Sequence, residues 1–280
     1  MNTAAVLGPG AVGGTLAVRL ANAGVQVICV AHPEAAGLIA LAGLVVESPE
    51  GTLTARVEVV EQLAKPVDLL LVTVKAPALD DAVARVDPSA VEHGVVVPLL
   101  NGLEHMDVLK ARFDGRVAAG TISHFQAYRA GRVQIIEATP APVVTIASES
   151  LSGAEVERAA DLIRRARIDV RVGQSEKRVL WHKLARIAPL ADPGWREKLD
   201  SAIVEACAVA EADGVSLRPA AQWAIIEEMA DETTTSAARD VVAGRRSELD
   251  ALLGSVLRTA ERLGVPCPTL TELAVAAGLR

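Results

Sequence analysis

The stretch Val6-Leu7-Gly8-Pro9-Gly10-Ala11-Val12-Gly13-Gly14 constrains this chain more than any other. It follows a short apolar run, Ala4 to Leu7, and opens into Thr15-Leu16-Ala17-Val18-Arg19-Leu20-Ala21, whose apolar spacing is helical. Strand, glycine turn and helix follow one another directly. Gly8, Gly10 and Gly13 fill the pattern G-x-G-x-x-G. The first glycine permits a tight turn, the second lets backbone approach a pyrophosphate, and the third lets helix and strand pack closely. The helix start offers N–H groups and the positive end of a dipole to phosphate. Gly24 and the run Val25 to Val30 supply the next strand. The motif therefore reads as a dinucleotide loop formed by Gly8, Pro9, Gly10, Ala11, Val12 and Gly13. An ordinary tight turn is the plain alternative.

Composition narrows the rest. At 280 residues the chain is long enough for two cores. Net charge is −7, no basic block occurs, and aromatic residues are limited to three Trp, one Tyr and two Phe. Neither a basic stripe nor a set of stacking platforms is present, so no nucleic-acid partner is expected. Glycines and Pro9 break the first apolar stretch, and no apolar run reaches spanning length, so neither a signal peptide nor a membrane partner is expected. Cys29, Cys207 and Cys267 are few and widely spaced, which fits reduced thiols in a cytoplasmic protein and no metal site.

The second strand ends at Ala31-His32-Pro33-Glu34. A protein built for NAD usually places a carboxylate at this tip, to hold the ribose 2′-hydroxyl. A carboxylate there would repel a 2′-phosphate, whereas His32 would not, so the tip favours NADP(H). Glu34 is the ribose ligand if the preference is the reverse. Leu44 to Val46 and Leu53 to Val59 flank Ser48-Pro49-Glu50-Gly51 and read as a hairpin. Val67 to Val74 is a near-continuous apolar run, as in a parallel sheet buried on both faces. Lys75 follows it, at the sheet edge where open α/β sheets bind ligands; a surface lysine is the alternative. Ala78 to Val86 reads as a helix and Gly94 to Leu100 as a strand, followed by Asn101-Gly102 at the same edge. Asn101 is either a turn former or part of one site with Lys75. Val117 to Ser123, Val133 to Glu137, Val143 to Ala147 and Ile168 to Val172 continue the β pattern. Ser152-Gly153-Ala154-Glu155 is a capping box opening a helix to about Ala166. His124 follows a strand, with a structural or a supporting role equally open.

After Gly173 the strand pattern stops. Arg178 to Ala191, Trp195 to Ala212, Arg218 to Met229, Thr233 to Val242, Glu248 to Gly264 and Thr269 to Ala277 all read as helices. An α/β half followed by an all-helical half implies two domains, 1–172 and 173–280, with a cleft between them. Lys183 and Glu248 lie on these helices, where exposed positions are the common fate of either residue type.

Together these residues resemble the ketopantoate reductase (2-dehydropantoate 2-reductase) family over nearly the whole length. Gly8-Pro9-Gly10-Ala11-Val12-Gly13 is similar to its cofactor loop, Leu71-Val72-Thr73-Val74-Lys75-Ala76 to its strand with a cofactor-side lysine, and Asn101-Gly102-Leu103 to its Asn-Gly turn. Trp181-His182-Lys183-Leu184-Ala185 resembles the segment with the catalytic lysine. Ser236 and Ser247-Glu248-Leu249-Asp250 resemble its substrate serine and Glu-x-Asp helix, and Gly264-Val265-Pro266-Cys267-Pro268 its closing motif. The resemblance implies an N-terminal Rossmann-type domain, an all-helical C-terminal domain and substrate in the cleft. It implies hydride transfer from NADPH to the ketone of a small 2-oxo acid, 2-dehydropantoate or a close relative. Lys183 would give the ketone oxygen its proton. Asn101 would bond substrate or nicotinamide ribose, Ser236 the substrate carboxylate and Glu248 a substrate hydroxyl. Lys75 would face the cofactor.

The chain departs from the family where Ile187, Ala188 and Leu253 stand in place of asparagines, and where His32 stands for the arginine near the 2′-phosphate. Replacing hydrogen-bonding groups by apolar ones changes which substrate groups are satisfied on burial. A β-hydroxy acid or imine reductase of similar build, and a nucleotide-binding sensor with weakened turnover, are the competing readings. A homodimer through the helical domain stands as the alternative to a monomer.

Overall fold

A computed structural model describes residues 2–139, 142–191, 198–227 and 248–279. The chain divides into two compact units, residues 1–100 with 105–179, and residues 101–104 with 180–280. The first is a Rossmann-type α/β unit, and the second has helices and connecting turns but no strand among its described residues.

The first unit is built on a five-stranded, all-parallel sheet in the order β5-β2-β1-β6-β7. Its strands are β1 (Thr3–Leu7), β2 (Gln26–Val30), β5 (Glu58–Val60), β6 (Leu69–Val72) and β7 (Val95–Pro98). Every residue of β1, β6 and β7 is buried, as expected of strands covered on both faces. Helix α1 (Ala11–Asn22) carries the chain from β1 to β2, and the chain later returns to β6 on the other flank of β1. The crossovers thus diverge at the C-terminal ends of β1 and β6, the switch point at which such sheets bind ligands.

Two smaller sheets complete the unit. β3 (Leu44–Ser48), β4 (Gly51–Ala55), β9 (Ala127–Arg129) and β10 (Gln134–Glu137) form one in the order β4-β3-β10-β9. β8 (Ala119–Ser123), β11 (Val143–Ala147) and β12 (Asp169–Val172) form the other. The hairpin read from sequence exists, with Ser48 opposite Gly51. Its second arm stops at Ala55, however, and Val59 belongs to β5, which pairs with β2 in the parallel sheet. Local alternation does not reveal that change of partner, because both segments have the same period.

Helix α1 is tied down along its length. Buried Arg19 donates from Nε and Nη2 to Glu137 Oε2 of β10, at 3.1 and 2.8 Å. A side chain on Gly14 would overlap Ile135 Cδ1. Breaking a buried ion pair by removing one partner costs about 3–5 kcal/mol, so this pair fixes the helix whose first turn lines the switch point. Helix α5 (Gly153–Arg164) opens with the expected capping box, Ser152 and Glu155 bonding each other's backbone. Helix α2 (Pro33–Ala42), α3 (Leu79–Val83) and α4 (His105–Arg112) complete the unit's helices among the described residues. The segment from Ala78 is shorter than its pattern, with a 3₁₀ turn at Ala76–Ala78 before α3.

In the second unit the core gathers Trp181, Leu184 and Ala185 of α6 (Glu176–Ile187) with Ala188 just after it, Ile203, Ala206 and Val209 of α7 (Leu199–Ala212), and Val256 of α9 (Ser255–Leu263). Leu270 and Leu273 come from α10 (Pro268–Ala276), and α8 (Pro219–Glu227) adds Trp223 at the margin. α6 ends two residues before Pro189, which opens a 3₁₀ turn rather than continuing the helix. The helix expected over Thr233 to Val242, together with Trp195 and Met229, lies outside the described residues. Among the described residues, no helix is long and apolar enough to cross a membrane.

Candidate active site

At the switch point the three glycines do different work. Gly8 leaves β1 at φ +85°, and its N–H donates to Val30 O at 3.0 Å. A Cβ on Gly8 would overlap Val74 Cγ1. A Cβ on Gly13 would overlap Thr73 Oγ1 and fall 2.6 Å from Gly8 O. Thr73 Oγ1 lies 2.8 Å from Gly8 O and 3.1 Å from Leu7 O, sharing one proton between two carbonyls and locking the turn. Gly10 differs. A Cβ there would meet nothing nearer than Gly8 O at 3.9 Å, at a backbone of φ −77° and ψ −149°. No protein contact requires a glycine at 10. Open space here faces a helix start with no side-chain cap and no acidic residue in its first turn. Those features fit a pyrophosphate.

His32 is exposed and forms the N-cap position of α2. Glu34, two residues on, is paired with Arg132 Nη1 at 3.0 Å. Sequence reading missed Arg132, which stands nearly a hundred positions away. Lys75 is exposed and precedes the 3₁₀ turn after β6; the strand itself stops at Val72. His124 is an exposed loop residue at φ +53°, where histidine is tolerated.

The other candidates converge within the helical unit. The turn after β7, residues 101–104, groups with that unit. Asn101 Nδ2 donates to Glu248 Oε2 at 3.3 Å. Glu248 is buried, and Asn101 Oδ1 is buried without a hydrogen-bond partner among the described residues. An orphaned acceptor of this kind invites a donor from a ligand. Gly102 sits at φ +95°, and a Cβ there would overlap Ala251 O. Ala251 belongs to a π-helical turn, Asp250–Gly254, that begins two residues after Glu248. Turns of this type often accompany functional sites.

Lys183 lies on α6, two residues after wholly buried Trp181. Trp181 Nε1 donates to Asp213 Oδ2 at 3.0 Å, which fixes the helix against the end of α7. Lys183 is half-buried, and the protein around its ammonium pushes it down to about 8. Glu248 opposes that fall and the Arg186 guanidinium assists it. The structure therefore brings Lys183, Glu248 and Asn101 into one electrostatic group. Ser236 lies outside the described residues. Burial raises the thiols, Cys29 to about 12 and Cys207 and Cys267 to about 11, which keeps all three protonated near neutral pH. Among the described residues no group of three or more His, Cys, Asp or Glu is placed to hold a metal ion.

Two family models match the chain. The model described as ketopantoate reductase PanE/ApbA matches residues 4–148, and that of the family's C-terminal part matches residues 183–278. The chain belongs to the PanE/ApbA ketopantoate reductase family. A 2-dehydropantoate 2-reductase of Caulobacter vibrioides is 30% identical, with 96% of this chain and 95% of that protein aligned. A PanE/ApbA family ketopantoate reductase from Ralstonia eutropha superposes with a TM-score of 0.85 at 26% identity, covering 99% of this chain and 97% of that one. A D-mandelate dehydrogenase in a ternary structure with NADH and anilino(oxo)acetate shares the fold, with a TM-score of 0.83 at 20% identity and 98% of each chain covered. Members of the PanE/ApbA family are oxidoreductases that act on CH–OH groups and bind nicotinamide cofactors.

The positions where this member lacks the family's asparagines now have structural settings. Ala188 and Leu253 are wholly buried in the apolar core of the helical unit, and Ile187 is half-buried against it.

Proposed function

We propose that this protein reduces a 2-oxo acid to the 2-hydroxy acid with NADPH, and that its substrate is 2-dehydropantoate or a less polar close relative. The cluster of Lys183, Glu248 and Asn101 carries this reading. The cofactor falls to residues 1–172 and the substrate chemistry to residues 173–280, with Asn101 joining the latter.

Gly8 to Gly13 hold the pyrophosphate through backbone N–H groups at the start of α1. His32 receives the 2′-phosphate. The Arg132–Glu34 pair supports that choice, because it matches the nearby carboxylate that would otherwise repel a phosphate. Lys75 serves the cofactor side. When bound, the reduced nicotinamide supplies the hydride.

The chain's own residues manage the proton. As negative charge grows on the ketone oxygen, the Lys183 ammonium stabilises it and donates a proton from Nζ. A value near 8 keeps the lysine mostly protonated at neutral pH yet close enough to working pH for transfer. Glu248 holds a substrate hydroxyl and keeps the ammonium charged through its field. Asn101 orients Glu248 with Nδ2 and offers Oδ1 to a donor on the substrate or the nicotinamide ribose. Ser236 is the proposed carboxylate-side hydroxyl. Ile187 brings apolar surface where the family has an asparagine, which favours a less polar acid.

The test is a panel of 2-oxo acids with NADPH, followed by loss of the reduced-nicotinamide absorbance. Oxidation with at least one branched 2-oxo acid is expected. Failure across the panel, with NADPH binding intact, would overturn the reading.

A further inference from the structure

Arg186 is a half-buried cation in the helical unit that pairs with no anion among the described residues. It stands on α6 three residues after Lys183, a spacing that puts two side chains on neighbouring positions of one helical face. Its Nη1 donates to His182 O at 2.8 Å and to Gln222 Oε1 at 3.2 Å. Both acceptors are neutral, and Gln222 is only 2% exposed. Among the described residues, no carboxylate pairs with this guanidinium, and Nε and Nη2 meet no acceptor. One corner of the fork is therefore anchored and the opposite edge is unused.

That edge has a particular chemistry. Nε–H and one Nη2–H point in parallel and match the two oxygens of a carboxylate. The charge balance around it leads to the same ligand. Burial pulls the guanidinium below its ordinary value, and it stays charged at any working pH. Its field reaches Lys183, which it pushes down. Among the described residues, two cations, Lys183 and Arg186, thus share this region with the Glu248 carboxylate. Among those described residues positive charge is in excess in a half-buried setting, and drawing a charge out of water without a partner is costly. An anionic ligand removes that cost.

We propose that Arg186 binds the substrate's carboxylate through its Nε–Nη2 edge, with His182 O and Gln222 holding the guanidinium in place. The inference rests on the reading that this cluster handles a 2-oxo acid, and it adds the group that selects the acid. It also explains how a site without the asparagines at 187 and 188 retains a strong anion anchor. Gln222 is the positioning residue, since it acts only through Arg186.

The test separates acid recognition from turnover. Oxamate is an isostere of a small 2-oxo acid, and oxamide is the same shape without the charge. Calorimetric titration of each into the protein saturated with NADPH gives the preference directly. Wild type should bind oxamate on the order of 100-fold more tightly than oxamide, as for a buried charge pair that loses one partner. Arg186→Gln should lose most of that preference and Arg186→Lys should keep part of it, with thermal melts confirming that both fold. Equal binding of the two probes by wild type, or an undiminished preference in Arg186→Gln, would overturn the assignment. A clear effect of Arg186 on oxamate, in a protein that reduces no 2-oxo acid, would instead sustain the anchor and sink the proposed reaction.

Discussion

Asn101 and Glu248 lie 147 positions apart and meet at 3.3 Å, amide to carboxylate. The contact depends on a glycine neither residue can replace. Gly102 must sit at φ +95° with no Cβ so that the turn reaches the carbonyl of Ala251 in the π-helical turn after Glu248. Gly102→Ala should therefore cost about 1–3 kcal/mol of stability and lower kcat/KM by separating Asn101 from Glu248. Denaturant unfolding and steady-state kinetics check both effects. Glu248→Ala, which leaves the turn intact, should act mainly by raising KM.

The glycine loop separates two kinds of damage. Gly10→Val should abolish NADPH binding at a smaller loss of stability than Gly13→Val, since a Cβ there meets nothing nearer than Gly8 O at 3.9 Å. Gly13→Val should unfold the unit, because its side chain would enter Thr73 and the Gly8 carbonyl. Fluorescence titration paired with thermal melts distinguishes them. Normal NADPH affinity in a folded Gly10→Val protein would move the phosphate site elsewhere.

NADPH should bind more tightly than NADH. Arg132→Ala unpairs Glu34 and should narrow that preference several-fold. Titrations that rank NADH first in wild type would return the ribose to Glu34.

Lys183 fixes a pH dependence. As the acid in the reductive direction it must carry its proton, so kcat/KM for reduction should be level below about 8 and fall as pH rises through it. In the oxidative direction the neutral amine is the base, and the rate should rise over the same range. A reductive profile that stays flat past this pH would assign the proton to another group.

Much of the sheet was legible because its signals are local. The buried runs of β1, β6 and β7 announce a parallel sheet, and Ser152 with Glu155 announces the start of α5. What escaped was set by partners distant in sequence. Val59 pairs with Ile28's strand rather than with the hairpin before it, and nothing in its neighbours says so. The region after Glu248 reads as one continuous helix, yet the docking of Gly102 on Ala251 accompanies a π turn there. Arg186 was hidden for a different reason. Arginine on an amphipathic helix is normally solvated, and only the packing of buried Gln222 on its Nη1 reveals a guanidinium anchored at one corner and half-buried.

The account turns on Lys183 as proton donor. The most direct measurement is turnover of Lys183→Ala with the 2-oxo acid that wild type reduces fastest, alongside an NADPH titration. A fall in kcat of roughly 10²–10⁴-fold with NADPH affinity little changed is the expected result, because the glycine loop belongs to the other compact unit. Wild-type turnover in the variant would contradict the mechanism.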